Sequence, residues 1–486
     1  MGRTASSLHA PPTAREIALL LTLLIFLLTT TSNLTNSQNS SQLTKYPFLR
    51  SPSTTHRNTT NPNVTIKPKK FETALSWKNS GKVPDTVIVA HAPGWTILDR
   101  LYALDGTLYI VTDDPASVPD RRFILSTALK IANGPIEAAK RVPTDKELRI
   151  ISTADAKTLF GSGADVLDGV TWYANDPNQF ITHYYHWSAE LFFGFWRTYS
   201  SLDPAITEDG NTTLPTPRRL LFPHLDSDHW RDYAKMNQLV VRTSFPSISM
   251  EFKDDWADRI TMGRPIVFDR VVLADRAAAI NGVSWQRTQR TASEAFALPG
   301  SAHWWSTIRN SVIGLSGLTT PRGGNTNPVI TYISRQDWGR RMLIPEHHEK
   351  LVEELYVLRD TYGYEVNVVS MDKLSRMEQL HLAGRTTIMM GVHGNGLTSL
   401  VWMKPTARST VMEFFYPEGF AHDYEWTTRS LGMVHYGFWG NRTFTSPEIP
   451  PVNYPEGFQG NEIPIDGTLV ARICLERLSL VDEADD

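Results

Sequence analysis

From residue 329 onward, short apolar runs alternate with longer amphipathic ones. Val329 to Ser334, Glu365 to Val369, Thr387 to Val392 and Thr410 to Phe414 read as strands. Between them, Glu346 to Tyr362 and Leu374 to Ala383 carry apolar residues at helical spacing, and Leu397 to Met403 predicts a short helix. Strands and helices alternating at this pitch predict an α/β fold with a parallel sheet and right-handed crossovers, a Rossmann-like half. The preceding body, from about Phe71, is less regular. Thr86 to Ala90, Thr107 to Thr112, Arg219 to Phe222 and Pro265 to Leu273 read as strands, and Trp172 to Trp196 is the most aromatic segment. A Gly/Thr/Pro-rich stretch, Ser316 to Pro328, reads as inter-domain loop.

The amino terminus has a different texture. Ile17 to Leu28 is apolar except for Thr22, and no charge appears from Ile17 through Thr44. Arg3 and Arg15 precede the run, and no small-residue cleavage site follows it, so residues 1–31 are expected to form a cytoplasmic tail and a type II signal-anchor. Residues 32–70 are rich in Ser, Thr, Asn, Gln and Pro and carry glycosylation sequons at Asn33, Asn39, Asn58 and Asn63. Two more sequons occur at Asn211 and Asn441. This pattern predicts a disordered stem holding a lumenal body off an endoplasmic reticulum or Golgi membrane.

Composition narrows the classes. A formal net charge of −3 argues against nucleic acid as a partner. The lone cysteine, Cys474, excludes an internal disulfide or a cysteine-rich metal site and reads as an apolar residue of a C-terminal helix.

Ligands of open parallel sheets bind beyond the carboxyl ends of the strands. Those ends carry Ser334-Arg335, His393-Gly394 and Glu413. Arginines such as Arg335 and Arg341 clamp a diphosphate bidentately. Gly394 and Gly396 allow close approach of the backbone to a ligand, and the free N–H groups that open the next helix seat a phosphate. A strand-end carboxylate such as Glu413 suits ribose hydroxyls. In the first half, His186 and Glu190 share one helical face as a base and its orienting partner, or as a buried structural pair. Asp226-Ser227-Asp228 is a short match to a metal-binding Asp-x-Asp and is set aside, as is the lipase-like His393-Gly394-Asn395-Gly396, because no nucleophile elbow exists.

These pieces resemble glycosyltransferase family 61, which includes lumenal xylosyl- and N-acetylglucosaminyltransferases. The matches run in the family's order: His186 and Glu190, Ser334 to Leu343, Glu378 to Leu380, His393 to Thr398, then Met412 to Pro417. The chain departs from the family in having Asn395 where Ala is usual and Ile344-Pro345 where Asn often follows. The resemblance implies a GT-B arrangement of two facing Rossmann-like domains: an acceptor-side domain over 71–300, a linker over 301–328 and a nucleotide-sugar domain over 329–486. It further implies an inverting transfer of xylose or N-acetylglucosamine from a UDP-sugar to a glycan or glycoprotein hydroxyl. Ser334, Arg335, Arg341, His393, the Gly394-Asn395-Gly396-Leu397-Thr398 loop and Glu413 would hold the donor without an obligatory metal, and Glu190 or His186 would act as base. The competing expectations are a non-catalytic lumenal binding protein, a metal-dependent transferase using Asp226 and Asp228, and, last, a glycosidase.

Overall fold

The computed structural model describes residues 73–318 and 327–481. The expected signal-anchor, the stem and its four sequons lie outside the described residues. Asn211 and Asn441 are exposed at the surface. Among the described residues no helix is long and apolar enough to cross a membrane.

The first sheet is built from β1 (Ala74–Ser76), β2 (Val87–Ala92), β3 (Trp95–Leu104), β4 (Thr107–Val111), β5 (Leu148–Ile151), β6 (Gly163–Ala174), β7 (Arg219–Leu221), β8 (Ser249–Glu251) and β9 (Ile266–Ala274). Its order is β5-β4-β3-β9-β6-β7-β8, with β1 on β6 and β2 on β3. β3 pairs antiparallel with β4 and β9, whereas β6 runs parallel to β7 and β9. The sheet is therefore mixed, not the regular parallel sheet implied for this half. Its two longest strands, β3 and β6, were not legible as strands. Arg100 adopts φ 56° inside β3, and β6 shifts register between Leu167 and Val170 around Gly169 at φ 71°. The β6 bulge breaks the two-residue alternation that marks a strand, and a left-handed residue inside β3 departs from regular extended backbone.

The second sheet comprises β10 (Val329–Ile333), β11 (Glu365–Val369), β12 (Ile388–Val392), β13 (Thr410–Phe414), β14 (Val434–Trp439) and β15 (Arg442–Phe444), in the order β11-β10-β12-β13-β14-β15. All neighbours are parallel except β15, which turns back on β14. The chain leaves β10 towards β11 and then crosses back to β12, so the winding reverses between β10 and β12. Crevices open at such reversals, at the carboxyl ends of the strands. Local signals place the crossovers. Pro345 opens helix Pro345–Tyr362, and Gly363, at φ 75°, stops it. Ser375 and Glu378 form a reciprocal capping box on helix Arg376–Arg385.

Alternate residues of the second sheet supply two cores. Ile330, Tyr332, Met390, Met412 and Phe414 pack under helices Pro345–Tyr362 and Gly467–Leu478, with Cys474 buried among them as expected. Ile333, Met389 and Val411 face the other way, into an aromatic core shared with the first half: Trp95, Trp172, Trp187, Phe192, Phe193 and Trp196. The expected linker is interrupted by a helix, Ser306–Gly314, whose Ile308, Val312 and Ile313 are buried in that shared core. Trp305 Nε1 donates to the Val401 carbonyl at 2.7 Å and Trp402 Nε1 to Tyr184 Oη at 2.7 Å, tying the halves together.

Candidate active site

A cavity of about 700 Å³ opens at the reversal point. Ser334, Arg335 and Trp338 line it from the loop after β10, Met371 and Gln379 from the β11 crossover, and Asn395 and Gly396 from the loop after β12. His183, Tyr233 and Lys235 close it from the first half. Its cations are Lys235, Arg335, Arg340, Arg341 and Arg376, and its one lining carboxylate is Asp372. Asp372 is already engaged by Ser370 and Trp338 Nε1. Burial pushes Arg335 and Arg341 below the ordinary arginine range; Arg341 adds to the effect on Arg335, and Arg340 adds to the effect on both. Buried Nε of Arg335 has no hydrogen-bond partner. Its guanidinium lies over Trp338, 5.1 Å from the ring centre, and so close to Gly394 that a Cβ there would stand 2.8 Å from Nη1. Arg341 donates from Nε to Gln459 Oε1 at 2.7 Å and from Nη1 to the His393 carbonyl at 3.3 Å. A buried cation without a counter-charge is stable only where an anion joins it.

The glycine loop opens the 3-10 helix Asn395–Trp402. Asn395 is the stitch between the halves: its Oδ1 accepts from the Tyr185 backbone N–H and the Thr398 hydroxyl, both at 3.2 Å, and its Nδ2 donates to Tyr233 Oη. This gives the departure from the family's alanine a structural role. Leu397 and Thr398 are buried and do not line the cavity, so the structure does not place them in the expected donor contact.

Glu413 also needs correcting. Its side chain is fully buried, and its two oxygens face His393 Nδ1 at 2.6 Å and His435 Nε2 at 2.9 Å. Nothing of it remains to receive a ribose. Burial pushes Glu413 well above the carboxylate range, with Asp423 and Glu425 adding to it. Burial likewise holds both imidazoles down to about 4, and the contacts of both rings with the Glu413 carboxyl fix the His393 ring.

His186 and Glu190 do meet, in the one-turn π-helix His186–Leu191. Such widened turns recur at functional sites. His186 Nδ1 lies 2.6 Å from Glu190 Oε2. Burial raises the Glu190 carboxyl, but His186, Arg290 and Arg276 outweigh it and hold it down to about 2. A carboxylate that acidic is a poor proton acceptor. A Glu190 carboxylate beside Nδ1 accepts from an Nδ1–H and orients the ring.

Several residues have no signal in the sequence. Arg290 reaches Glu190 Oε1 at 3.7 Å and Asp423 Oδ1 at 2.8 Å, so a buried bridge links the His186 turn to helix His422–Ser430. Arg276 pairs with Asp176 at 2.5 Å and donates to the His186 carbonyl at 3.3 Å. His183 stands between His186, at 4.9 Å between ring centres, and Tyr233, at 6.2 Å. Asp226 and Asp228 are exposed, paired with Lys253 and His229, and line no part of the cavity. Trp187, Trp196 and Trp230 are core residues.

Residues 184–411 match the family model described as Glycosyltransferase 61. The matched span runs from the His186 turn through the cavity and the glycine loop into β13. No curated protein matches the chain.

Proposed function

The chain carries a glycosyltransferase family 61 domain and is a glycosyltransferase; from that premise we propose that it is a GT-B-type enzyme that moves a sugar, xylose or N-acetylglucosamine in kind, from UDP to a hydroxyl with inversion. The observation that carries this reading is the cation excess of the cavity at the sheet's reversal point. In the proposed reaction, Arg335 and Arg341 receive the diphosphate, with the backbone N–H groups that follow Gly394 beside them. His186 Nε2 takes the proton of the acceptor hydroxyl as its oxygen bonds to the anomeric carbon. The bond from that carbon to the diphosphate breaks on the opposite face, and the leaving charge falls on the arginines, where prepositioned cations lower the barrier most. Glu190 holds the imidazole in the tautomer this step needs, and the buried His393–Glu413 pair braces the start of the glycine loop.

The cationic set supports charge stabilisation without an obligatory metal, and the amino-terminal pattern supports a type II anchor with the body in the Golgi or endoplasmic reticulum lumen. Thermal unfolding of the full chain with UDP, GDP or CMP, each with and without EDTA, tests the donor. A nucleotide at about 100 times its Kd adds about 2.7 kcal/mol. A UDP-specific shift that survives EDTA is expected. A shift lost in EDTA moves the reading to metal-dependent binding, and no shift with any nucleotide overturns it.

A further inference from the structure

A row of rings leads out of the cavity: Tyr233, His183, His186 and then Phe180, whose ring centre lies 4.7 Å from that of His186. Phe180 is 40% exposed and adopts φ 69°, the left-handed region that a bulky residue enters only at a cost. The neighbouring structure imposes it. On one side, Gln179 exchanges side-chain hydrogen bonds with the Ile131 backbone at 2.6 and 3.0 Å, and its carbonyl accepts from Arg276 Nη2 at 3.2 Å. On the other, Ile181 is buried and its carbonyl accepts from Asn237 Nδ2 at 2.9 Å. Arg276, anchored by Asp176, sits 5.7 Å from the centre of the Phe180 ring. A buried ion pair and a strained residue thus hold a part-exposed aromatic ring beside the His186 ring, and it is not among the residues that line the cavity.

We propose that Phe180 is the acceptor platform: the apolar face of a pyranose stacks on it and delivers one ring hydroxyl to His186 Nε2. The acceptor is then a carbohydrate hydroxyl rather than a serine or threonine of a bare peptide. The inference rests on His186 as base. It does not depend on the identity of the donor. Positioning of this kind acts on the encounter of acceptor and base, not on the donor.

Saturation-transfer NMR on the full chain with methyl β-D-xylopyranoside, methyl α-D-mannopyranoside and a Ser/Thr-rich peptide tests it. Phe180→Gly suits the left-handed backbone and so removes the ring without straining the fold. Pyranoside signals are expected in the wild type, weakened about tenfold in Phe180→Gly and kept in Phe180→Trp, as loss of one aromatic stack predicts. The UDP melting shift should be unchanged in both variants. Pyranoside signals indifferent to Phe180→Gly, or binding of the peptide alone, overturn the proposal. Pyranoside binding that depends on Phe180 in a protein that ignores UDP leaves this subsite standing and removes the donor reading.

Discussion

The two sides of the His393 loop handle charge in opposite ways. On the cavity side, half-buried Arg335 has an unpaired, buried Nε and faces four further cations against one occupied carboxylate. On the other side, Glu190, Arg290, Asp423, Arg276 and Asp176 form a nearly closed set of ion pairs around His186. An uncompensated buried charge awaits a ligand of opposite sign, whereas a compensated set holds something still. The first side is built to bind and the second to orient.

The largest effect expected on this contrast is at the base. His186→Ala should lower kcat by about 10² to 10⁴-fold while the UDP melting shift persists. Glu190→Gln should lower kcat less and leave the nucleotide Kd unchanged, since it disturbs only the orientation of the ring. Equal loss of nucleotide binding in either variant would break the division into binding and orienting sides. Next comes Arg335→Ala. Loss of charge-assisted hydrogen bonds worth about 1.5–3 kcal/mol should weaken UDP by about 10 to 150-fold in calorimetric titration. The melting temperature of the free protein should hold or rise, because a half-buried cation with an unpaired Nε is removed.

A smaller effect concerns pH. Burial holds His183, His393 and His435 down to about 4, whereas the unfolded chain takes up those protons near 6.5. Between about 4 and 6.5 the unfolded state binds more protons, so stability rises with pH and falls on acidification. Glu413 and Asp275, the latter pushed up to about 6, are raised by burial and act with the opposite sign, while His91, also held down to about 4, adds to the imidazoles. Calorimetric melting temperatures should therefore drop from pH 7 to pH 5, and less so in His435→Asn. The smallest effect is at the Asp-x-Asp. Asp228→Ala should leave stability within about 0.5 kcal/mol and turnover unchanged, as for an exposed residue outside the site.

The second sheet was legible because its signals are local. Apolar runs, a capping box, Pro345 and Gly363 fix strands and helices within a few residues of themselves. Once those elements form a parallel sheet, topology brings Ser334-Arg335 and His393-Gly394 to one crevice. The His186–Glu190 pair was legible for the same reason, as four residues make one turn. The first sheet was less so, since a bulge at Gly169 interrupts β6 and a left-handed Arg100 interrupts β3.

The sequence alone therefore determined the α/β character of the second half, the cysteine's inert role and which side chains stand at the strand ends. Only the tertiary structure decided what those side chains can do. Arg290 and Asp423 lie 133 positions apart, Tyr185 and Asn395 210 apart, and no local pattern joins them. Whether a carboxylate is a base, an anchor or a buried proton holder depends on the dielectric and the charges around it. Glu190 and Glu413 acquire opposite characters from surroundings that the chain assembles only by folding.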